Sequence, residues 1–243
     1  MNAIGIDIGT TTLSAVALGP GGEVLEAVTL PNGADMPDAR PWAKHQDADV
    51  IFDKAKALID QLMERHAPVG AIGLDGQMHG MLYVNEAGRA VSPLVTWQDG
   101  RGDLKLDGGT YASELYRRTG CRMATGFGLT THFWNLLNGE IPAGAVKLCT
   151  VADYVAMRPS GLSAPVVHAS NAASLGLFDL PSGNWDDLAV ENAGISPAIL
   201  PEVERGVRAL GTYQGASVSA ALGDNQASFL GSVREPEKTA LIN

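Results

Sequence analysis

A mixed α/β fold, a sheet flanked by helices, is predicted by three features of this 243-residue sequence. The chain opens on Ile4-Gly5-Ile6-Asp7-Ile8-Gly9, whose period of two is that of a strand. Ile51, Ala55, Leu58 and Leu62 then recur at the three- and four-residue steps of an amphipathic helix. A new apolar strand pattern begins at Val69, directly after Ala67-Pro68 breaks the helix. With 45% apolar and 18% charged residues, the chain can bury a sizeable core.

The first strand places three isoleucines on one face and Asp7 on the other, between glycines that leave that second face nearly bare. Leu13, Ala15 and Ala17 continue the alternation, Gly19-Pro20-Gly21-Gly22 marks a turn, and Val24 to Leu30 reads as a third strand of an antiparallel meander. Asp47 caps a helix expected over Ala48 to His66. Strands are expected over Val69 to Leu74 and Met81 to Val84, with a turn at Asn85-Glu86-Ala87-Gly88 and another short strand ending near Trp97. Helices follow over Thr110 to Arg118, Thr131 to Asn138 and Val151 to Met157, with a strand Val146 to Thr150 before the last. Val218 to Leu222 reads as a strand and Ala227 to Gly231 as helical. No repeat or low-complexity linker interrupts residues 1–235, which read as one continuous domain. Glu235-Pro236-Glu237-Lys238 reads as a connector, and Thr239 to Asn243 as the start of an apolar strand cut at a domain boundary.

A formal net charge of -10 gives no general attraction to nucleic acid or to anionic membranes. No apolar stretch approaches the roughly 20 residues a membrane helix needs, and the N-terminus lacks the pattern of a signal peptide. Cys121 and Cys149 stand far apart with no CxxC, which argues against a disulfide scaffold or structural zinc and for a reducing, cytoplasmic setting. The histidines show neither HxxxH nor HExxH spacing.

Four segments carry groups suited to chemistry. In Asp7-Ile8-Gly9-Thr10-Thr11-Thr12 a carboxylate at a strand end adjoins a glycine turn and three hydroxyls, a layout for metal-bound triphosphate. Gly9 and its neighbours can offer N–H groups to phosphate oxygens, and Asp7 can hold Mg²⁺ directly or through water. The alternative is an ordinary threonine-rich strand. Gly76-Gln77-Met78-His79-Gly80 follows a strand, where α/β sheets present ligand loops, and its amide and imidazole suit a polyol. Trp97-Gln98-Asp99-Gly100-Arg101 combines an aromatic face with bidentate polar groups; alternatively Trp97 is core and Asp99 pairs with Arg101 on the surface. In Gly223-Asp224-Asn225-Gln226, Asp224 is an N-cap, a reactive carboxylate at the positive end of a helix, or both.

In order and spacing these segments resemble the N-terminal half of FGGY-type carbohydrate kinases, which have the actin-like, ribonuclease-H-like ATPase fold. The resemblance covers nearly the whole chain. Thr125-Gly126-Phe127-Gly128-Leu129-Thr130-Thr131-His132-Phe133-Trp134 and Ser170-Asn171-Ala172-Ala173-Ser174-Leu175-Gly176 look most like the sedoheptulokinase branch, while Gln77-Met78-His79 and Asp99-Gly100-Arg101 are shared with xylulokinases. The resemblance implies phosphorylation of a ketose primary hydroxyl by ATP with Mg²⁺. In that reading Asp224 is the general base and Asp7 supports the metal. Gly9, Thr10, Thr11 and Thr12 meet the ATP phosphates, and Gln77, Met78, His79, Trp97, Asp99, Arg101 and Asn225 line the sugar pocket. It also implies that residues 1–235 are the sugar-binding domain and 236–243 the lead into a nucleotide-binding domain missing from this chain. A homodimer is the assembly left open. Rival readings are an actin- or chaperone-type ATPase domain indifferent to sugar, and a silent sugar-binding fragment.

Overall fold

In the computed structural model, which describes residues 1–233 and 235–239, the expected meander is present. Its strands are β1 (Asn2–Ile8), β2 (Thr12–Leu18) and β3 (Val24–Pro31), paired antiparallel in that order. The alternation in β1 has its expected effect: Ile4, Ile6 and Ile8 are buried, while Asp7 on the opposite face is half-buried.

Helix α1 (Ala48–Arg65) then carries the chain back, so that β4 (Val69–Gly76) joins β1 in parallel. Asp47 caps α1 by accepting the N–H groups of Asp49 and Val50, and Ile51, Ala55, Leu58 and Leu62 form the buried stripe that the spacing requires. On the far side of β4 lie β5 (Ala209–Tyr213), β6 (Ala216–Ser219) and β7 (Leu222–Gly223). The order is β5-β6-β4-β1-β2-β3, with β7 parallel to the end of β4. Helices α1 and α4 (Val151–Met157) contribute to the apolar cluster that covers the isoleucine face.

A second apolar cluster lies among α2 (Tyr111–Thr119), α3 (Gly128–Asn138), α5 (Ala169–Leu175) and α6 (Asp187–Asn192), and includes Leu115, Phe133, Leu175 and Val190. Thr110 closes a capping box with Ser113 at the start of α2, one residue inside the expected helix.

Three expectations shift. Helix α3 begins at Gly128 rather than Thr131, because a helix N-terminus tolerates glycine that propensity alone excludes. The strand expected over Val218 to Leu222 is split: β6 ends at Ser219, Ala220 N–H donates to Arg208 O at 3.1 Å, and pairing with β4 resumes as β7. Helix α7 (Asp224–Ser232) starts three residues before the expected Ala227. Pro236–Lys238 forms a short 3-10 turn within the expected connector, and residues 240–243 of the expected final strand lie outside the described residues.

Ile6 is 1% exposed at the centre of the first cluster, whereas Val24 is 65% exposed at the sheet margin. Urea unfolding is expected to show Ile6→Ala destabilising by about 2–5 kcal/mol and Val24→Ala by no more than about 0.5 kcal/mol. Equal effects would contradict this placement of the core.

Candidate active site

The turn after β1 is built around a close backbone approach. Gly9 N–H donates to Thr12 O at 3.0 Å, and a Cβ on Gly9 would stand 2.8 Å from that same oxygen, so only glycine fits. Buried Asn32 braces the turn by donating from Nδ2 to Gly9 O at 2.8 Å and from its backbone N–H to Thr11 O at 2.8 Å. Gln46 donates from Nε2 to Thr10 O at 2.9 Å. Thr11 and Thr12 are exposed. The result is a fixed, glycine-pinned hairpin with hydroxyls on its outer side.

Three carboxylates meet beside it. In register, Asp7 of β1 lies opposite Asp75 of β4; Leu222 of β7 also lies opposite Asp75, and Gly223 lies opposite Gly76. The chain then turns into α7, whose first residue is Asp224. The Asp7 and Asp75 side chains are close enough to act on each other's ionisation. Burial, then the charge and hydrogen bond of Asp7, push the Asp75 carboxyl up to about 7, and the charge of Asp224 adds to this. Burial also raises Asp7 against the opposing hydrogen bond from Asp75, and Asp224 acts on it in the same upward direction. The three acids thus lie within electrostatic reach of one another. Asp75 escaped the sequence reading, although Asp75-Gly76 in the neighbouring strand was the available signal.

The cap reading of Asp224 does not hold. Gly223 occupies the cap position of α7 without a side-chain cap bond, and Asp224 Oδ1 accepts the N–H of Asn225 at 2.6 Å. The carboxylate therefore stands at the first turn without serving as the N-cap.

His79 sits at φ 71°, and Gly80 N–H donates to Met78 O at 2.8 Å, which defines a strained, positive-φ γ-turn. Its backbone N–H donates to Ser174 Oγ at 3.1 Å, and its Nδ1 donates to Ser174 O at 2.8 Å. With a carbonyl as partner Nδ1 carries the hydrogen, and Nε2 is the nitrogen turned to other use. The ring stacks on Phe127 with centroids 4.7 Å apart and planes 8° from parallel. Asn225 Nδ2 approaches Met78 Sδ at 3.8 Å, joining the loop after β4 to the start of α7.

Trp97 is not core. It is 47% exposed, and its Nε1 donates to Thr10 Oγ1 at 3.0 Å, tying the tryptophan loop to the hairpin. Gly126 lies beneath it at φ 81°, where a Cβ would strike Trp97 O at 2.0 Å.

Gln77, Asp99 and Arg101 are engaged in hydrogen bonds between loops. Gln77 is 3% exposed, accepting from Thr10 Oγ1 at 3.2 Å and donating to Gln46 Oε1 at 3.2 Å, so its amide is a strut between the loops. Asp99 and Arg101 do pair, but in the interior: Asp99 is 0% and Arg101 4% exposed. Asp99 Oδ1 accepts from Arg101 Nε at 2.7 Å and Oδ2 from Lys44 N–H at 3.0 Å, while Arg101 Nη1 donates to Asn135 Oδ1 at 2.5 Å. Trp42 and Trp134 also flank the guanidinium. Groups bonded in this way hold the loops in place.

Among the described residues no group of three or more His, Cys, Asp or Glu forms a metal cage. The Asp7 and Asp75 pair nevertheless fits Mg²⁺, which takes one or two protein carboxylates and completes its shell with phosphate oxygens and water. Clefts of about 670 Å³, beside Asp38 and Lys44, and about 690 Å³, beside Tyr116 and Arg122, include none of the three acids.

The model of the FGGY family of carbohydrate kinases, N-terminal domain, matches residues 2–231. Sedoheptulokinase of Mus musculus is 34% identical over 93% of this chain and 53% of its own length, and that of Homo sapiens is 31% identical over 93% and 54%. The chain spans about half the length of these relatives. The crystal structure of ligand-bound xylulose kinase from Lactobacillus acidophilus superposes with a TM-score of 0.79 at 22% identity, covering 95% of this chain and 49% of that one. This likeness shows the actin-like fold.

Because the charge of Asp7 helps raise Asp75, Asp7→Asn is expected to lower the titration midpoint of Asp75 from about 7, read from its carboxyl carbon resonance. An unmoved midpoint would show that burial alone sets it.

Proposed function

The chain belongs to the FGGY family of carbohydrate kinases, and from that premise we propose that it supplies the sugar site and the catalytic carboxylate of an ATP-dependent ketose kinase. The observation that carries the reading is the convergence of Asp7, Asp75 and Asp224 beside the glycine hairpin. In a loose phosphoryl-transfer transition state the protein chiefly aligns the attacking oxygen and neutralises spreading charge. A strongly basic residue is unnecessary. Asp224 orients the primary hydroxyl of the ketose and accepts its proton late. Met78, His79, Trp97 and Asn225 hold the sugar, and the N–H groups and hydroxyls of residues 9–12 meet the phosphates. Asp7 and Asp75 would hold Mg²⁺, which when bound supplies positive charge against the phosphate oxygens.

The ketose is sedoheptulose in this proposal, giving its 7-phosphate; two relatives above 30% identity that bear the name sedoheptulokinase support it. The second reading is xylulose phosphorylation, favoured by the loops shared with xylulokinases and by a relative from Staphylococcus xylosus named xylulose kinase, 25% identical. A nucleotide-binding partner domain belongs to the same proposal: helix α7 buries none of its residues and leaves Leu230 61% exposed, a surface suited to cover by further chain. Among the described residues no helix is long and apolar enough to cross a membrane.

ADP release by the full-length protein is expected to require a ketose, with sedoheptulose preferred over xylulose, ribulose and glycerol. ATP hydrolysis indifferent to sugar would transfer the chain to the chaperone-like reading. Asp224→Asn is expected to leave stability within about 0.5 kcal/mol, because the side chain is not the helix cap, and to lower turnover by about 10²- to 10⁴-fold. Unchanged turnover would return Asp224 to a structural role.

A further inference from the structure

The cleft of about 690 Å³ beside Tyr116 and Arg122 has a wall in common with the residues proposed to hold the sugar. It lies between α2, which contributes Ala112 and Tyr116 from one helical face, and the segment from Arg122 to Phe127 that leads into α3. Phe127 belongs to both places: it lines the cleft, and its ring stacks on that of His79 with centroids 4.7 Å apart. Thr125, another lining residue, donates from Oγ1 to Asp99 O at 3.3 Å, and Gly126 packs its backbone against Trp97 O. Residues 125–127 therefore back directly onto both Trp97 and His79.

Helix α5 ties this wall to the three acids. Ser174 holds His79 through its hydroxyl and its carbonyl, and Ser170 Oγ accepts the N–H of Gly223, the residue before Asp224, at 2.9 Å. Just past the end of α5, a Cβ on Gly176 would strike Met123 Cε and stand 3.6 Å from Phe127 Cδ2, so both of these lining side chains pack over the helix end. One short helix thus fixes the cleft wall, His79 and the segment that delivers Asp224 relative to one another.

The lining suits a hydroxylated chain. Tyr116, Met123 and Phe127 supply apolar faces for C–H groups, and Asp103 and Arg122 supply an acceptor and a donor for hydroxyls. Neither of these two charged side chains has a hydrogen bond or ion pair among the described residues, whereas neighbouring Arg117 and Arg118 are both tied to Glu114. A free guanidinium and a free carboxylate in one cleft give no preference for an anion or a cation. They match a neutral polyol, whose hydroxyls both donate and accept.

We propose that this cleft receives the carbons and hydroxyls of the ketose remote from the reacting one, and that Asp103, Tyr116 and Arg122 thereby select a ketose longer than five carbons. The inference deepens the ketose-kinase reading and rests on its sugar site. The reacting end lies at Asp224, the middle of the chain passes His79, and the additional carbons of a seven-carbon ketose reach Arg122 and Asp103. A site built to bond a hydroxyl discriminates against an analogue that lacks it, because the partner groups are left unused. Asp103 and Arg122 are exposed, so water serves them while the cleft is empty, which places the selectivity from each at about tenfold, the low end for a charged hydrogen bond.

The test compares full-length wild type with Arg122→Ala, Asp103→Asn and Ala124→Trp, using sedoheptulose and xylulose. Calorimetry without nucleotide gives Kd for each ketose, and ADP release gives kcat and KM. Wild type is expected to favour sedoheptulose in both. Arg122→Ala and Asp103→Asn are each expected to lower the sedoheptulose-to-xylulose ratio of kcat/KM about tenfold, through Kd and KM rather than kcat. Ala124 is an exposed lining residue, so Ala124→Trp fills the cleft without disturbing the core and is expected to lower the same ratio at least as far. A ratio unchanged in all three variants, or a wild type that binds xylulose more tightly, overturns the chain-length role, while ketose-dependent ADP release leaves the kinase reading standing. Chain-length-dependent binding that the variants weaken, without ketose-dependent ADP release, supports the cleft as a sugar subsite and refutes the kinase reading.

Discussion

The parallel pairing of β1, β4 and β7 is the constraint on which the site depends. Parallel strands in register bring equivalent positions side by side, and here those positions hold Asp7, Asp75 and the turn into Asp224. No single element contains the site. It exists because α1 returns the chain so that β4 pairs with β1, and because the long excursion after β4 ends on the other edge of that same strand. The isoleucine face of β1 is the foundation of this arrangement: a one-residue slip would bury Asp7 and expose Ile4, Ile6 and Ile8.

Around this row the structure spends buried polar groups on alignment. Gln77 and Gln46 join the hairpin to the loop after β4, Asp99 and Arg101 tie the tryptophan loop to α3 through Asn135, and α5 joins His79 to the segment before Asp224. Such networks are directional, so they fix loops at angles that apolar packing alone would leave free. The strained turn at His79 is held by two bonds to Ser174, as expected where backbone strain is retained at a working site.

Much of this was legible in the sequence because the local signals were strong. The alternation around Asp7 and the spacing in α1 each identify an element and its buried face without reference to the remainder of the chain. Asp75 was not legible for a physical reason: its importance comes from lying opposite Asp7, and register between strands separated by 60 residues or more leaves no local trace. The burial of Asp99 and Arg101 is of the same kind, since five neighbouring residues do not disclose that two tryptophans and Asn135 close over them. Helix α5, rich in Ser, Asn and Ala, lacks the apolar period that marks α1, and its role comes entirely from what its polar side chains reach. The cap expected at Asp224 fails for a local reason: Gly223 takes the cap position, and the Asp224 carboxylate accepts the N–H of Asn225 inside the first turn.

The central claim, that the three acids surround one reaction centre, is tested most directly by a crystal structure of the full-length protein with a ketose and a non-hydrolysable ATP analogue. The account predicts the terminal hydroxyl of the sugar within hydrogen-bonding distance of Asp224, with the γ-phosphate between that hydroxyl and the hairpin at Gly9. A ketose bound elsewhere, with Asp224 facing solvent and no phosphate near Asp7 or Asp75, would contradict it.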